Sequence, residues 1–172
     1  RPLEQPRFRQ VRRGLTPAER GTAVHLVLQY LDFANRDVTA QLADMEARGL
    51  LTAEQARAAD VPALERLLAS PLAEELRTGK NLLREYSFTL LVDAQMLDPA
   101  AAKEDQVLLQ GVADCCFETE EGLVIVDFKT DRVQAGEGLR RRAEQYRPQL
   151  EAYSLALSQV LEKTVIRKIL YF

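Results

Sequence analysis

Residues 123–126 (LVIV) run directly into Asp127, Phe128 and Lys129, and this run constrains the fold more than any other feature of the chain. A short apolar run of branched residues is typical of a buried strand. Side chains alternate along a strand, so Asp127 and Lys129 project to one face while Phe128 projects to the other. The sequence therefore predicts a buried strand that ends in an acid and a base on the same side.

A second apolar segment, residues 107–119, precedes this strand and is joined to it by an acidic turn around residues 118–122. Strands linked so closely are expected to pair antiparallel. The earlier strand carries Asp114, which we expect to face Asp127 across the pair. This arrangement predicts two carboxylates at one end of a hairpin.

Two carboxylates brought together repel each other unless they share a proton or a cation lies between them. Oxygen ligands suit Mg²⁺ or Mn²⁺, and a nearby ammonium group can orient an attacking water. Asp114, Asp127 and Lys129 therefore fit a metal-dependent site that hydrolyses a phosphodiester. Taken alone, the same three residues fit a surface salt bridge equally well.

The remaining segments predict the order of elements. Thr16, Pro17 and Glu19 form a capping box with proline in the first turn, so a helix that contains His25 is expected to begin there. Residues 38–78 have a helical pattern and predict an inserted subdomain of three or four short helices. Further predicted elements are strands at 84–93, 107–119 and 121–131, a helix at 139–162 with a bend or restart at Pro148, and a strand at 164–172.

The chain has 172 residues, of which 47% are apolar and 28% are charged. This length predicts a single domain over residues 1–172, and the absence of an initial Met predicts that the domain is a fragment of a larger protein. No apolar run is long enough for a membrane span, so we expect a cytoplasmic protein with no membrane partner. The neighbours Cys115 and Cys116 are expected to be reduced, buried thiols.

Arginines cluster although the net charge of the chain is −3. Residues 1–13 contain five arginines and one acid, Glu4, and a second cluster contains Arg140, Arg141 and Arg142. Such patches could contact phosphates while the rest of the surface stays acidic. The alternative is that they form a frayed terminus and an ordinary solvated helix face.

Five ordered segments within residues 14–157 resemble the motifs of the RecB-type nucleases in the PD-(D/E)xK superfamily. GTAVH resembles G-x-x-x-H, REYSF resembles R-E-x-x-F, GVAD and DFK resemble G-x-x-D and D-x-K, and QLEAY resembles Q-x-x-x-Y. Longer phrases, such as LLQGVADCCFETEEGLVIVDFKTDRV, resemble the C-terminal nuclease domains of the AddA-type helicase-nuclease family. Five motifs in order are more specific than any one of them.

The resemblance implies an α/β fold with a restriction-endonuclease-like core of a helix, a three-stranded antiparallel meander, a helix and a strand, into which the helices of residues 38–78 are inserted. It implies a Mg²⁺- or Mn²⁺-dependent deoxyribonuclease that acts on the single strand unwound by an attached helicase during double-strand break repair in bacteria. An AddB-type partner subunit is implied as well. ATP would be used only by the helicase part, because this chain has no G-x-x-x-x-G-K-[ST] loop, and no iron-sulfur cluster is expected.

Two alternatives remain. The chain could be a nuclease-fold module that serves DNA binding or subunit docking, or a free-standing RecB-like nuclease. If the resemblance is carried over residue by residue, the motif positions divide into catalytic residues, metal ligands, supporting or DNA-positioning residues, and candidate DNA contacts. The catalytic residues are Asp114, Asp127 and Lys129, and the metal ligands are His25, Asp114, Asp127 and the carbonyl of Phe128. The supporting or DNA-positioning residues are Glu85, Gln149 and Tyr153. The candidate DNA contacts are Arg140, Arg141 and Arg142.

Overall fold

The computed structural model describes residues 15–130 and 136–172. The chain divides into two compact units, Arg1–Ser70 and Pro71–Phe172, and each is described by itself. The first unit contains helices α1 (Pro17–Tyr30), α2 (Val38–Ala47), α3 (Ala53–Ala58) and α4 (Val61–Leu68). The second contains α5 (Pro71–Thr78), β1 (Lys80–Asp93), β2 (Gln106–Glu118), β3 (Leu123–Phe128), α6 (Glu137–Val160) and β4 (Val165–Tyr171). The single-domain organisation expected from the chain length stays a prediction.

Helix α1 begins where the capping box predicts. The backbone N–H of Thr16 donates to the Glu19 carboxylate at 2.7 Å, and the N–H of Glu19 donates to the Thr16 hydroxyl at 3.3 Å. These two bonds satisfy N–H groups that a helix start otherwise leaves without partners. The helical pattern of residues 38–78 is confirmed by α2 to α5, although α5 belongs to the second unit.

The second unit is built on a four-stranded sheet with the order β1-β2-β3-β4. β2 pairs antiparallel with β1 and with β3, which confirms the predicted meander. β4 pairs parallel with β3, a pairing that needs a crossover connection, and the segment containing α6 supplies it. The predicted sequence of meander, helix and strand is therefore confirmed.

Helix α6 continues without interruption through Pro148, so the restart predicted at that residue is wrong. Proline removes one backbone donor and crowds the preceding turn, but packing further along the helix offsets this cost. Leu150, Ala156 and Leu157 on α6 are buried in one cluster with apolar residues of the sheet. This packing places one face of α6 against the sheet.

Strand β3 is buried at every position, which confirms the prediction from the LVIV run. It lies between β2 and β4 in the sheet, and its Ile125 belongs to the apolar cluster that contacts α6. At its polar end β3 remains paired with β4, whereas its ladder with β2 ends at Val126. No helix within residues 15–130 and 136–172 has both the length and the apolar character that a bilayer crossing requires.

The cysteines are free and buried in β2, as the sequence predicts. Burial is the main cause that raises the pKa of the Cys115 thiol to about 12 and that of Cys116 to about 11. Both thiols are therefore protonated and poorly nucleophilic in the folded protein at neutral pH.

We predict that neither thiol is alkylated by iodoacetamide at about pH 8.5 in the folded protein, because only the thiolate reacts. Both should be modified once the chain is unfolded in guanidinium, and mass spectrometry would count the adducts. The unfolded state loses these protons as the pH rises above about 9, while the folded state keeps them. The free energy of unfolding should therefore fall between about pH 9 and the raised pKa values. Rapid alkylation of the folded protein would contradict this prediction.

Candidate active site

Glu85 on β1 and Asp114 on β2 bring two acids together. Their positions lie between the cross-strand pairs Arg84–Cys115 and Tyr86–Ala113. Carboxylate oxygens of Glu85 and Asp114 lie within 4.8 Å of each other. Two acids at this separation repel each other unless they share a proton or a cation lies between them.

Asp114 is also tied to the polar end of β3. The ladder between β2 and β3 ends at the pair Cys115–Val126, so Asp114 and Asp127 occupy the next position along the hairpin. There the carboxylate Oδ2 of Asp114 accepts a 2.6 Å hydrogen bond from the backbone N–H of Phe128. A side-chain acceptor bonds the backbone of β3 just beyond the last ladder pair, and this bond fixes the orientation of the Asp114 carboxylate.

Glu85 has an unusual backbone conformation for a residue within a strand. Its φ is +48°, in the left-handed region that costs a non-glycine residue about 1–2 kcal/mol. The pairing of β1 with β2 keeps the same register on both sides of Glu85, so the unusual conformation is confined to this residue. The family resemblance predicted an acid at this position, but nothing in the sequence indicated the strain.

Asp127 and Lys129 form a close pair at the end of β3. The ammonium Nζ of Lys129 lies 2.6 Å from Oδ2 of Asp127, and the two side chains are only 13% and 10% exposed. The predicted common face is therefore confirmed, and the burial argues against an exposed surface salt bridge. Placing two charges in such a protected position is costly unless each has further partners.

One face of α6 supplies further partners for Lys129. Nζ of Lys129 donates to Oε1 of Gln149 at 3.4 Å, and Nε2 of Gln149 donates to the hydroxyl of Tyr153 at 3.2 Å. The ring centroid of Tyr146 lies 3.9 Å from the same ammonium. Tyr146 lies outside the five motifs and was not predicted as a site residue, although its spacing of three residues from Gln149 was a signal that both share a helix face.

Gly111 brings three of the motifs into contact. A Cβ atom at this position would lie 2.7 Å from the ring of Phe88, and 2.8 Å and 2.9 Å from ring atoms of Tyr153. The two rings also contact each other edge to face at a centroid distance of 5.0 Å. Glycine is therefore required where the ring of Tyr153 approaches the backbone of β2, and this close approach connects α6 to both β1 and β2.

The other predicted residues lie in different surroundings. His25 is partly buried on α1 in the first unit, and its role as a metal ligand stays a prediction. The side chain of Phe128 is buried, while its backbone N–H serves Asp114. The cluster at the start of α6 is mainly exposed: Arg140 reaches solvent, Arg141 bonds Glu137, and Arg142 bonds Gln145. The arginines of residues 1–13 lie outside the described residues.

A mixed four-stranded sheet, crossed by α6 and carrying acids where β2 and β3 separate, defines an α/β fold of the restriction-endonuclease type. The family model of the PD-(D/E)XK nuclease superfamily matches residues 3–172. The chain therefore belongs to this superfamily, as its ordered motifs predicted.

Curated relatives share this sequence over a small part of their length. The chain is 37% identical over 173 residues to the A subunit of the ATP-dependent helicase/nuclease of Acetivibrio thermocellus, and 40% identical over 176 residues to that of Desulforudis audaxviator. A third relative of the same name, from Heliobacterium modesticaldum, is 39% identical over 176 residues. These alignments cover 97–99% of the chain, but the chain spans only 13–14% of the relatives' own length.

The packing at Gly111 gives a prediction for stability. Gly111→Ala should lower the free energy of unfolding by about 1–3 kcal/mol, because the added methyl group overlaps two aromatic rings. Urea denaturation would measure the change. In a Tyr153→Ala background, where one ring is absent, the same substitution should cost less. Equal costs in the two backgrounds would show that the contact with Tyr153 is not the cause.

The strain at Glu85 gives a second prediction. Glu85→Gly should leave the free energy of unfolding unchanged or raise it by up to about 1 kcal/mol, since glycine adopts a positive φ without strain. DNA hydrolysis should fall at the same time, because a carboxylate near Asp114 is lost. Glu85→Ala removes the same carboxylate but keeps the strain, and it is the matched control. If the alanine variant were as stable as the glycine variant, the strain would be absent.

Proposed function

We propose that the chain is the nuclease domain of an ATP-dependent helicase-nuclease of the AddA type. It would hydrolyse phosphodiester bonds of the single DNA strand that an attached helicase unwinds during double-strand break repair. The observation that carries this proposal is the polar end of the β2–β3 hairpin, where Asp114 accepts a bond from the backbone of β3 and Asp127 pairs with Lys129. The names of the relatives, which state both helicase and nuclease, support the connection to a motor.

The donor set fits a hard divalent cation, and we propose Mg²⁺ or Mn²⁺. Asp114 and Asp127 would hold it, with His25 and the Phe128 carbonyl completing the ligand set. The carboxylate of Glu85, whose oxygen lies within 4.8 Å of one from Asp114, would support the same site. Oxygen donors with one imidazole suit these ions better than softer metals. When bound, the cation polarises the phosphodiester and stabilises the charge on the leaving oxygen.

Lys129 would orient the water that attacks the phosphorus atom. Its ammonium has three donors and no acceptor, and Asp127 and Gln149 each lie within reach of it. These contacts hold Nζ at the end of β3 rather than in solvent. An ammonium group in that position would also stabilise the negative charge that develops on the phosphate in the transition state.

The partners follow from the same assignment. The substrate would be single-stranded DNA, with Arg140, Arg141 and Arg142 as candidate phosphate contacts near the start of α6. The relatives are named as one subunit of a helicase/nuclease, which supports an AddB-type partner in a bacterial cytoplasmic complex. ATP would be bound only by the helicase part of such a protein.

We predict that Asp127→Asn lowers the rate of single-stranded DNA hydrolysis in Mg²⁺ by about 100-fold or more, because the substitution removes the charge needed to hold the cation. Release of nucleotides from a labelled oligonucleotide would measure the rate. The matched control is Asp93→Asn, the same change at an exposed position of β1, which should hydrolyse at the parent rate.

Parent-level hydrolysis by Asp127→Asn would refute the site assignment. Calorimetric titration with Mn²⁺ separates the proposed enzyme from a module that only binds DNA or docks onto another protein. Binding heat that is lost in Asp127→Asn but kept in Asp93→Asn supports the enzyme. Absence of such heat in the parent protein favours the docking module.

A further inference from the structure

The ammonium of Lys129 is surrounded by groups of three different kinds. A carboxylate oxygen of Asp127 lies at 2.6 Å, the amide oxygen of Gln149 at 3.4 Å, and the ring centroid of Tyr146 at 3.9 Å. The lysine side chain is only 13% exposed. Tyr146 has no position in the five motifs, so its contact with the lysine is an addition to the site that the motifs predict.

The distance of 3.9 Å is well within the range in which a ring face attracts a cation. The attraction is stronger where water is excluded, and the low exposure of Lys129 meets this condition. Lysine has a flexible four-carbon stem, so its ammonium takes a single position only when several groups restrict it. The ring closes one side of the space in which Nζ could otherwise move.

Tyr146 lies on α6 outside the buried cluster that joins this helix to the sheet. The buried cluster between the sheet and α6 contains Leu150, Ala156 and Leu157 of this helix, and the partly buried residues packed on it include Tyr153. Within the described part of the chain, Tyr146 is not a member of that cluster. Its ring instead lies near Phe172, at a centroid distance of 6.4 Å, and near the guanidinium of Arg142 at 5.7 Å.

We infer that Tyr146 is a positioning residue for the nuclease reaction, an inference that rests on the proposed function. Its ring holds the Lys129 ammonium against Asp127 through a cation–π contact, and Gln149, one helical turn further along α6, restricts the same ammonium from a second direction. The helix that crosses the sheet thereby sets the position of a group on β3. Tyr146 acts only through Lys129 and touches no reacting atom.

Substitutions that change the ring test this inference in the intact protein. Tyr146→Phe keeps the ring face, and its kcat should remain within about twofold of the parent. Tyr146→Leu keeps an apolar side chain but removes the ring, and its kcat should fall roughly 3- to 30-fold. KM should stay unchanged in both variants, because the position of Lys129 affects the chemical step and not the binding of the DNA backbone.

A fluorinated series separates electrostatics from packing. Phenylalanine with one, two and three ring fluorines at position 146 keeps the shape of the ring while weakening the negative potential of its face. The logarithm of kcat should fall in steps along this series, with KM and the thermal midpoint unchanged. The same series at Phe117, which is fully buried in β2, is the control and should leave kcat unchanged.

If kcat does not change along the fluorine series at position 146, the inference is wrong. It is also wrong if a loss of activity in Tyr146→Leu comes with a lower thermal midpoint and a raised KM. Asp127→Asn is measured in parallel to keep the two proposals apart. If Asp127→Asn is inactive and kcat does not change along the fluorine series, only the role of Tyr146 is wrong. If Asp127→Asn keeps full activity, both the nuclease assignment and the role of Tyr146 are wrong.

Discussion

The hydrogen bond from the backbone N–H of Phe128 to the carboxylate of Asp114 holds the candidate site together. It lies just beyond the last ladder pair of β2 and β3, where a backbone donor would otherwise need water or another acceptor. The carboxylate of Asp114 satisfies this donor at the edge of the core. The bond therefore fixes Asp114 on one strand and the direction of Asp127 and Lys129 on the other.

The site concentrates unfavourable features that the rest of the unit offsets. Glu85 has a strained backbone, two acids lie close together, and Lys129 and Asp127 are largely removed from solvent. Strain and desolvation of this kind persist only where the surrounding structure fixes the geometry. Here the fully buried β3 and the apolar face of α6 provide that support.

Local patterns in the sequence predicted most of the fold. The capping box set the start of α1, the LVIV run marked the buried β3, and the short acidic turn required an antiparallel hairpin, because each depends on neighbouring residues alone. Features that depend on distant packing were not predictable in this way. The continuity of α6 through Pro148, the positive φ of Glu85 and the ring of Tyr146 over Lys129 arise from contacts between elements. The position of His25 toward the acids remains a prediction.

The close approach at Gly111 means that the motifs of this chain are not independent of one another. Phe88, Gly111 and Tyr153 come from three separate segments, yet they share one small volume in which no further carbon atom fits. A larger residue at one of these positions is tolerated only if another becomes smaller. We therefore expect the three positions to vary together, so that a nuclease assembled from segments of different relatives should exchange all three at once.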